Sequence, residues 1–223
     1  MAAPGETEGR RCANPGRAVR RLLSKSRPTR RKDLPMNAFL VSLVAVAVAE
    51  IGDKTQLLSL TLAAKYRRPW PICIGIFIAT LVNHAMAGGV GALLANWISP
   101  RAMQWAVVVS FIGMSVWALI PDKADDEAAT RDAGRGLVVA TIVTFFLAEM
   151  GDKTQLATMA LAAQYHPLWQ VVAGTTLGMM TANVPVVWLG SRFAERIPLS
   201  AARITAALLF LGLGLWNLYG LLA

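Results

Sequence analysis

Long apolar stretches separated by short polar breaks run along most of the 223-residue chain. A helix that spans a bilayer needs about 20 mostly apolar residues. Stretches of that kind occur at roughly 38–64, 71–97, 102–120, 137–163, 168–190 and 203–222, and they predict six spanning helices. Little chain lies between them, so no soluble catalytic domain fits there. A hydrophobic share of 55% and a mean hydropathy of +0.49 place the chain with membrane proteins.

The pattern is one unit written twice. A shift of 99 residues lays Glu50-Ile-Gly-Asp-Lys-Thr-Gln-Leu57 over Glu149-Met-Gly-Asp-Lys-Thr-Gln-Leu156, with one difference in eight positions. The same shift lays Leu62-Ala-Ala-Lys-Tyr66 over Leu161-Ala-Ala-Gln-Tyr165 and Trp70 over Trp169. It also pairs Gly75 with Gly174, Gly91 with Gly190, Phe111 with Phe210, Gly113 with Gly212 and Trp117 with Trp216. One offset held over three spans marks an internal duplication. Three is odd, so the second copy enters the membrane from the opposite side. The expected fold is therefore all-α and integral to the membrane, with six transmembrane helices as two inverted three-helix repeats. Residues 36–120 form repeat 1 (spans 1–3), 121–136 an acidic linker and 137–223 repeat 2 (spans 4–6).

Charge changes the picture at the N-terminus. Residues 1–35 hold ten Lys/Arg and three acids, a net of +7 out of the chain's +9. This Arg- and Pro-rich tail has no apolar period and is expected to be disordered. Met36 stands directly before the first span, and one reading is that translation starts there, residues 1–35 being a mis-assigned start. The tail lacks aromatics and any nucleic-acid fold signature, so no nucleic acid is expected as partner; anionic lipid suits it better. Cys12 and Cys73 suggest neither a disulfide framework nor a thiolate metal site. In the linker, Asp125-Asp126-Glu127 reads as a solvated run.

Lysine and arginine in the short loops set orientation. Lys65, Arg67 and Arg68, then Lys123, Arg131 and Arg135, then Arg192, Arg196 and Arg203 fall in the three odd loops, against Arg101 alone on the other side. That puts the odd loops in the cytoplasm and both termini outside, in a multi-pass plasma (inner) membrane protein. The tail's ten positives argue the reverse.

The doubled segment carries the chemistry. Apolar residues flank Glu50 to Gln56 and Glu149 to Gln155 on both sides, so four carboxylates and two lysines lie near mid-bilayer. Each charge there costs at least about 2.5–3.5 kcal/mol on insertion scales. On a continuous helix Glu50 and Asp53 share a face, and Lys54 at i+4 reaches Glu50. Gly52 admits a neighbouring backbone, or lets the helix loosen and expose carbonyls. Across the repeats Glu50, Asp53, Glu149 and Asp152 are expected to surround one cavity, with Lys54, Thr55, Gln56, Lys153, Thr154 and Gln155 in support. Carboxylate, hydroxyl and amide oxygens are hard ligands that suit Ca²⁺, Mn²⁺ or Mg²⁺ over Cu⁺ or Zn²⁺. Four carboxylates overcompensate a divalent ion and leave room for protons, which is a physical basis for exchange. The lysines would hold the site neutral without the ion. Asn83, His84 and Asn183, in the second span of each repeat, complete the site or relay protons, or are hydrogen-bonded packing. His166 looks incidental. Gly88, Gly89, Gly91, Ala92, Gly212 and Gly214 suit close helix packing. Trp70, Trp97, Trp169 and Tyr66 suit the interfacial belt.

Two copies of E-x-G-D-[KR]-[ST] in a six-span protein resemble the Gdt family, which includes Golgi calcium/manganese transporters of eukaryotes and bacterial manganese exporters. The resemblance covers Met36 to Ala223. The motif carries over to Glu50, Gly52, Asp53, Lys54 and Thr55, and to Glu149, Gly151, Asp152, Lys153 and Thr154. It implies a cation/proton antiporter that exports Mn²⁺, with Ca²⁺ as a further substrate. On that resemblance no cofactor is permanently bound, and the divalent ion and protons are transported. Other readings are an exporter of another solute such as an amino acid, perched on the lysines, or a membrane scaffold whose ion pairs are structural. No Ser/His/Asp set, metal-hydrolase pattern or nucleotide loop points to an enzyme. Oligomeric state is not read from the sequence.

Overall fold

The structure is a computed structural model that describes residues 35–120, 136–190 and 199–222, all within the unit Asp33–Ala223. The expectations for the basic tail, and for the acidic linker up to residue 135, fall outside the described residues. Eight helices appear in order among those that are described: α1 Pro35–Glu50, α2 Lys54–Tyr66, α3 Pro69–Trp97, α4 Pro100–Ala118, α5 Leu137–Glu149, α6 Lys153–Gln164, α7 Leu168–Leu189 and α8 Leu199–Leu222. No strand occurs among the described residues. By length and composition α3, α7 and Ser200–Leu222 of α8 can each cross a membrane, and Ala38–Glu50 and Leu137–Glu149 are shorter apolar helices. Outward-facing Leu93, Val109, Val116 and Leu208 give α3, α4 and α8 an apolar outer surface, as lipid contact requires. Trp70, Trp97 and Trp169 are exposed near helix ends, where an interfacial belt would sit.

Local signals explain most boundaries. Pro69 and Pro100 open α3 and α4, where a missing N–H costs nothing. The Ser99 side chain caps α4 by accepting from the Ala102 amide at 3.4 Å. Arg67, in the left-handed region at φ 53°, closes α2 with its N–H on the Ala63 carbonyl at 2.9 Å.

The first and fourth expected spans are not continuous helices. Each is broken within the charged segment, between α1 and α2 and between α5 and α6. The cause is local: Gly52 and Gly151 sit at φ 80° and 76°, which no helical turn accepts. Asp53 and Asp152 follow in extended conformation and start the next helix.

Contacts between the halves repeat in exchanged pairs. α1 packs on α7, and α5 packs on α3. A Cβ on Gly174 would lie 2.5 Å from the Phe39 carbonyl oxygen and 2.9 Å from Ser42 Cβ. Shift every residue by 99 and the contact recurs: a Cβ on Gly75 would lie 2.5 Å from Thr141 Cβ and 3.0 Å from the Val138 oxygen. Phe111 and Phe210 are each other's counterparts, and they stack with centroids 6.3 Å apart where α4 meets α8. Counterparts touch each other only near an axis of two-fold exchange. Of the glycines expected to admit close packing, Gly88, Gly91 and Gly214 do so, whereas Gly89 and Gly212 face open space.

Candidate functional site

Both helix breaks are built alike. Asp53 N–H bonds the Glu50 carbonyl at 3.0 Å, and Asp152 N–H bonds the Glu149 carbonyl at 3.1 Å. Gln56 and Gln155 then reach back, their Oε1 atoms each accepting from the amides of Gly52 and Gly151 at 2.8 Å. This satisfies amide donors that a broken helix leaves without intrahelical partners. α1 and α5 end at the break, and each presents the electronegative pole of a helix there. Substituting Gly151 with Ala is expected to destabilise the protein by about 1–2 kcal/mol, the penalty of a left-handed L-residue. The control is Gly113→Ala, where a Cβ meets nothing. Equal melting temperatures for the two variants in detergent would show that the break does not need the glycine.

The lysines do not bond as the i, i+4 spacing predicts. Lys54 Nζ lies 3.2 Å from Asp152 Oδ1, and Lys153 Nζ lies 2.7 Å from Asp53 Oδ1. Each repeat therefore neutralises the aspartate of the other, and the 99-residue shift turns one bridge into the other. The expected Lys54–Glu50 pairing fails because the turn at Gly52 ends the helix before its next turn begins. The glutamates are held by hydroxyls instead. Thr55 Oγ1 donates to Glu50 Oε1, and Thr154 Oγ1 donates to Glu149 Oε2 at 2.9 Å.

The second-span residues join in unequal ways. Asn183 Nδ2 donates to Glu50 Oε1 at 3.1 Å, and Ser59 Oγ donates to Asn183 Oδ1 at 2.6 Å. Asn83 Nδ2 donates to the Phe146 carbonyl at 3.1 Å, and Gln155 Nε2 donates to Asn83 Oδ1 at 3.5 Å. Gln56 Nε2 donates to the Ala182 carbonyl at 3.2 Å. His84 is fully buried, and neither ring nitrogen has a hydrogen-bond partner. Ser59 escaped the sequence reading, although its 99-residue counterpart is Thr158, a hydroxyl matched to a hydroxyl inside the apolar run. His166 lies between α6 and α7, outside the cluster.

All four carboxylates are buried, and the charges of Glu149, Asp53 and Asp152 all act on Glu50. They are arranged as lysine- and threonine-bonded pairs. Among the described residues no three His, Cys, Asp or Glu side chains are grouped so as to hold a metal ion together. In place of the expected single cavity, this conformation holds a cluster whose two aspartates are bridged by lysines and whose two glutamates are bonded by threonines. The two halves also differ in access. The Lys54 side chain is 23% exposed and Lys153 only 4%. α6 packs against α4, while α2 has no comparable contact with α8.

The chain matches known proteins over both repeats. The family model described as "Divalent cation/proton antiporter GDT1" matches residues 38–126 and again 137–223. A Vibrio cholerae protein named "Putative manganese exporter" is 52% identical over 177 residues, covering 79% of this chain and 88% of that protein. A GDT1-like protein of Synechocystis is 29% identical over 195 residues, covering 78% of this chain and 93% of the relative. GDT1-like protein 4 of rice (Oryza sativa) is 28% identical over 205 residues, covering 80% and 72%. No solved structure matches. With a model match across both halves and a relative of this identity, the chain belongs to the GDT1 family of divalent cation/proton antiporters.

Proposed function

We propose that this protein exports Mn²⁺, with Ca²⁺ as a further substrate, by exchange for protons at one site built from both repeats. Glu50, Asp53, Glu149 and Asp152 supply the anionic oxygens, and Lys54, Thr55, Gln56, Lys153, Thr154, Gln155, Asn83, His84 and Asn183 support them. The observation that carries this reading is the exchanged pair of Lys–Asp bridges beside two buried glutamates. Four carboxylates and two ammonium groups leave a formal charge of −2. One divalent ion cancels that charge, and so do two protons. A buried cluster is least costly when neutral, so either cargo suits it and both together do not. That exclusion is the coupling. The chemistry of hard oxygens permits Mn²⁺ or Ca²⁺; the name of the Vibrio cholerae relative favours manganese.

The arrangement in the membrane follows. α1–α2 and α5–α6 each act as one broken span, giving six spans as two inverted repeats, with the breaks at mid-bilayer. The protein lies in the plasma membrane with the odd loops cytoplasmic, as the loop lysines and arginines direct. The unequal exposure of Lys54 and Lys153 suits a conformation open towards one side; the opposite conformation would expose Lys153 instead.

The test is a deletion strain under excess Mn²⁺, with cell manganese measured by mass spectrometry. The deletion should accumulate manganese and the wild-type gene should reverse it. Glu50→Gln and Asp152→Asn should each lose about tenfold or more of export, at membrane levels matched to wild type. Full rescue by both variants would overturn the carboxylate site. Unchanged manganese with an altered amino-acid or calcium content would overturn the substrate and leave the architecture standing. No change in any solute would favour a scaffold.

A further inference from the structure

The two charged segments match residue for residue from Gly52 to Gln56, but the buried positions of the second spans differ: the 99-residue shift lays Asn83 over Ala182 and Thr80 over Met179. The 99-residue shift carries Asn183 onto His84, Glu50 onto Glu149 and Ser59 onto Thr158. In the first half the position is satisfied: the Asn183 amide donates to Glu50 Oε1 and accepts from Ser59. In the second half the counterpart of Asn183 is orphaned: His84 Nδ1 and Nε2 are buried without a hydrogen-bond partner, whereas one oxygen of each glutamate, Glu50 Oε2 and Glu149 Oε1, lacks one in both halves. Thr80 Oγ1, one turn before His84 on α3, is buried and without a partner as well. α3 packs directly on α5 and α6, which carry Glu149 and Lys153.

A buried imidazole with both nitrogens unmet is destabilising, because burial strips the water that would bond them and nothing replaces it. Packing alone would be served better by an apolar side chain of the same volume. The position also differs chemically from its counterpart. An asparagine offers a metal only its hard amide oxygen, whereas a neutral imidazole offers a nitrogen lone pair of borderline softness. Such a donor strengthens binding of first-row transition ions relative to alkaline-earth ions, which prefer oxygen throughout.

We propose that His84 is a nitrogen donor to the transported ion, and that it sets the preference for Mn²⁺ over Ca²⁺. The proposal rests on the cation-site reading above. Ser59 and Asn183 fix Glu50 as an all-oxygen half. Glu149, His84 and Thr80 form a mixed half that completes its bonding when the ion arrives.

The experiment uses the full chain in liposomes with Mn²⁺ and Ca²⁺ as probes. His84→Asn copies the residue that the other half carries at this position and keeps the side chain polar. It should lower the Mn²⁺/Ca²⁺ selectivity ratio about tenfold or more. Pulsed electron paramagnetic resonance of bound Mn²⁺ supplies a second readout. A directly coordinated nitrogen should appear in wild type and in His166→Gln, which removes the chain's other histidine, and vanish in His84→Asn. If His84→Asn does not fold, the wild-type spectrum still decides. Absence of nitrogen coupling in wild type, or an unchanged selectivity ratio in a folded His84→Asn, overturns the assignment. Glu50→Gln separates the two levels: if it still transports and binds Mn²⁺ normally, the cation site itself is wrong. If it fails while wild type shows no nitrogen, only the role of His84 is lost.

Discussion

Lys153→Met is expected to destabilise the protein by about 3–5 kcal/mol, the usual effect of removing one partner from a buried ion pair. Lys153 lies 2.7 Å from Asp53 with its side chain 4% exposed, so water cannot replace it. Asp53 would keep its charge in a low-dielectric interior or take up a proton to lose it. Lys54→Met should do much less. Lys54 stands 3.2 Å from Asp152 and is 23% exposed, so solvent already screens its charge in part and its bridge to the buried aspartate is the weaker of the two. The double variant Asp53→Asn/Lys153→Met removes both charges together and should recover most of the loss. Denaturant titration of the purified protein in detergent would measure all three. Equal effects of Lys153→Met and Lys54→Met, or a double variant no better than the single, would show that the bridge does not hold the halves together.

That bridge marks the boundary of what the sequence makes legible. The helical class, the duplication and the charged segments are plain, because hydropathy and a 99-residue offset are properties of the chain read linearly. The residues of the cluster could be named for the same reason: charge inside an apolar run stands out. Which charge meets which could not be read. The spacing of Glu50 and Lys54 suits an intrahelical pair, and only the positive φ of Gly52 and Gly151 redirects the lysines to the opposite repeat. A glycine in a helical run fits close packing as well as a break, and both readings of Gly52 stood open. The part played by Ser59 depends on a contact with Asn183, 124 residues away, and no local period encodes that. The glycines in the later spans teach the same point: Gly88 and Gly89 are neighbours, yet one is packed and the other faces open space.

Gly91→Ala and Gly174→Ala should each reduce stability by about 3 kcal/mol or more, at or beyond the upper end of ordinary overpacking. The reason is what the added methyl meets. On Gly91 it would sit 2.2 Å from the Met159 carbonyl oxygen, and on Gly174 it would sit 2.5 Å from the Phe39 carbonyl oxygen. Neither obstacle is the free end of a side chain; each is backbone inside a helix, so α3 must move away from α6, or α7 from α1. The effect reaches function too, because α6 begins at Lys153 and α1 ends at Glu50. Pushing α6 outward should also stretch the Lys153–Asp53 bridge, so Gly91→Ala should lose part of the proposed Mn²⁺ export even where it folds. Gly89→Ala is the control on the same helix. Its methyl meets nothing within 4 Å, and alanine is favoured over glycine in a helix by up to about 1 kcal/mol. It should leave stability unchanged or raise it slightly. Melting temperatures and export rates of the three variants, at matched expression, decide the matter. If Gly91→Ala and Gly89→Ala behave alike, helix propensity rather than contact governs α3, and the close approach of α6 is not what holds the buried lysine in place.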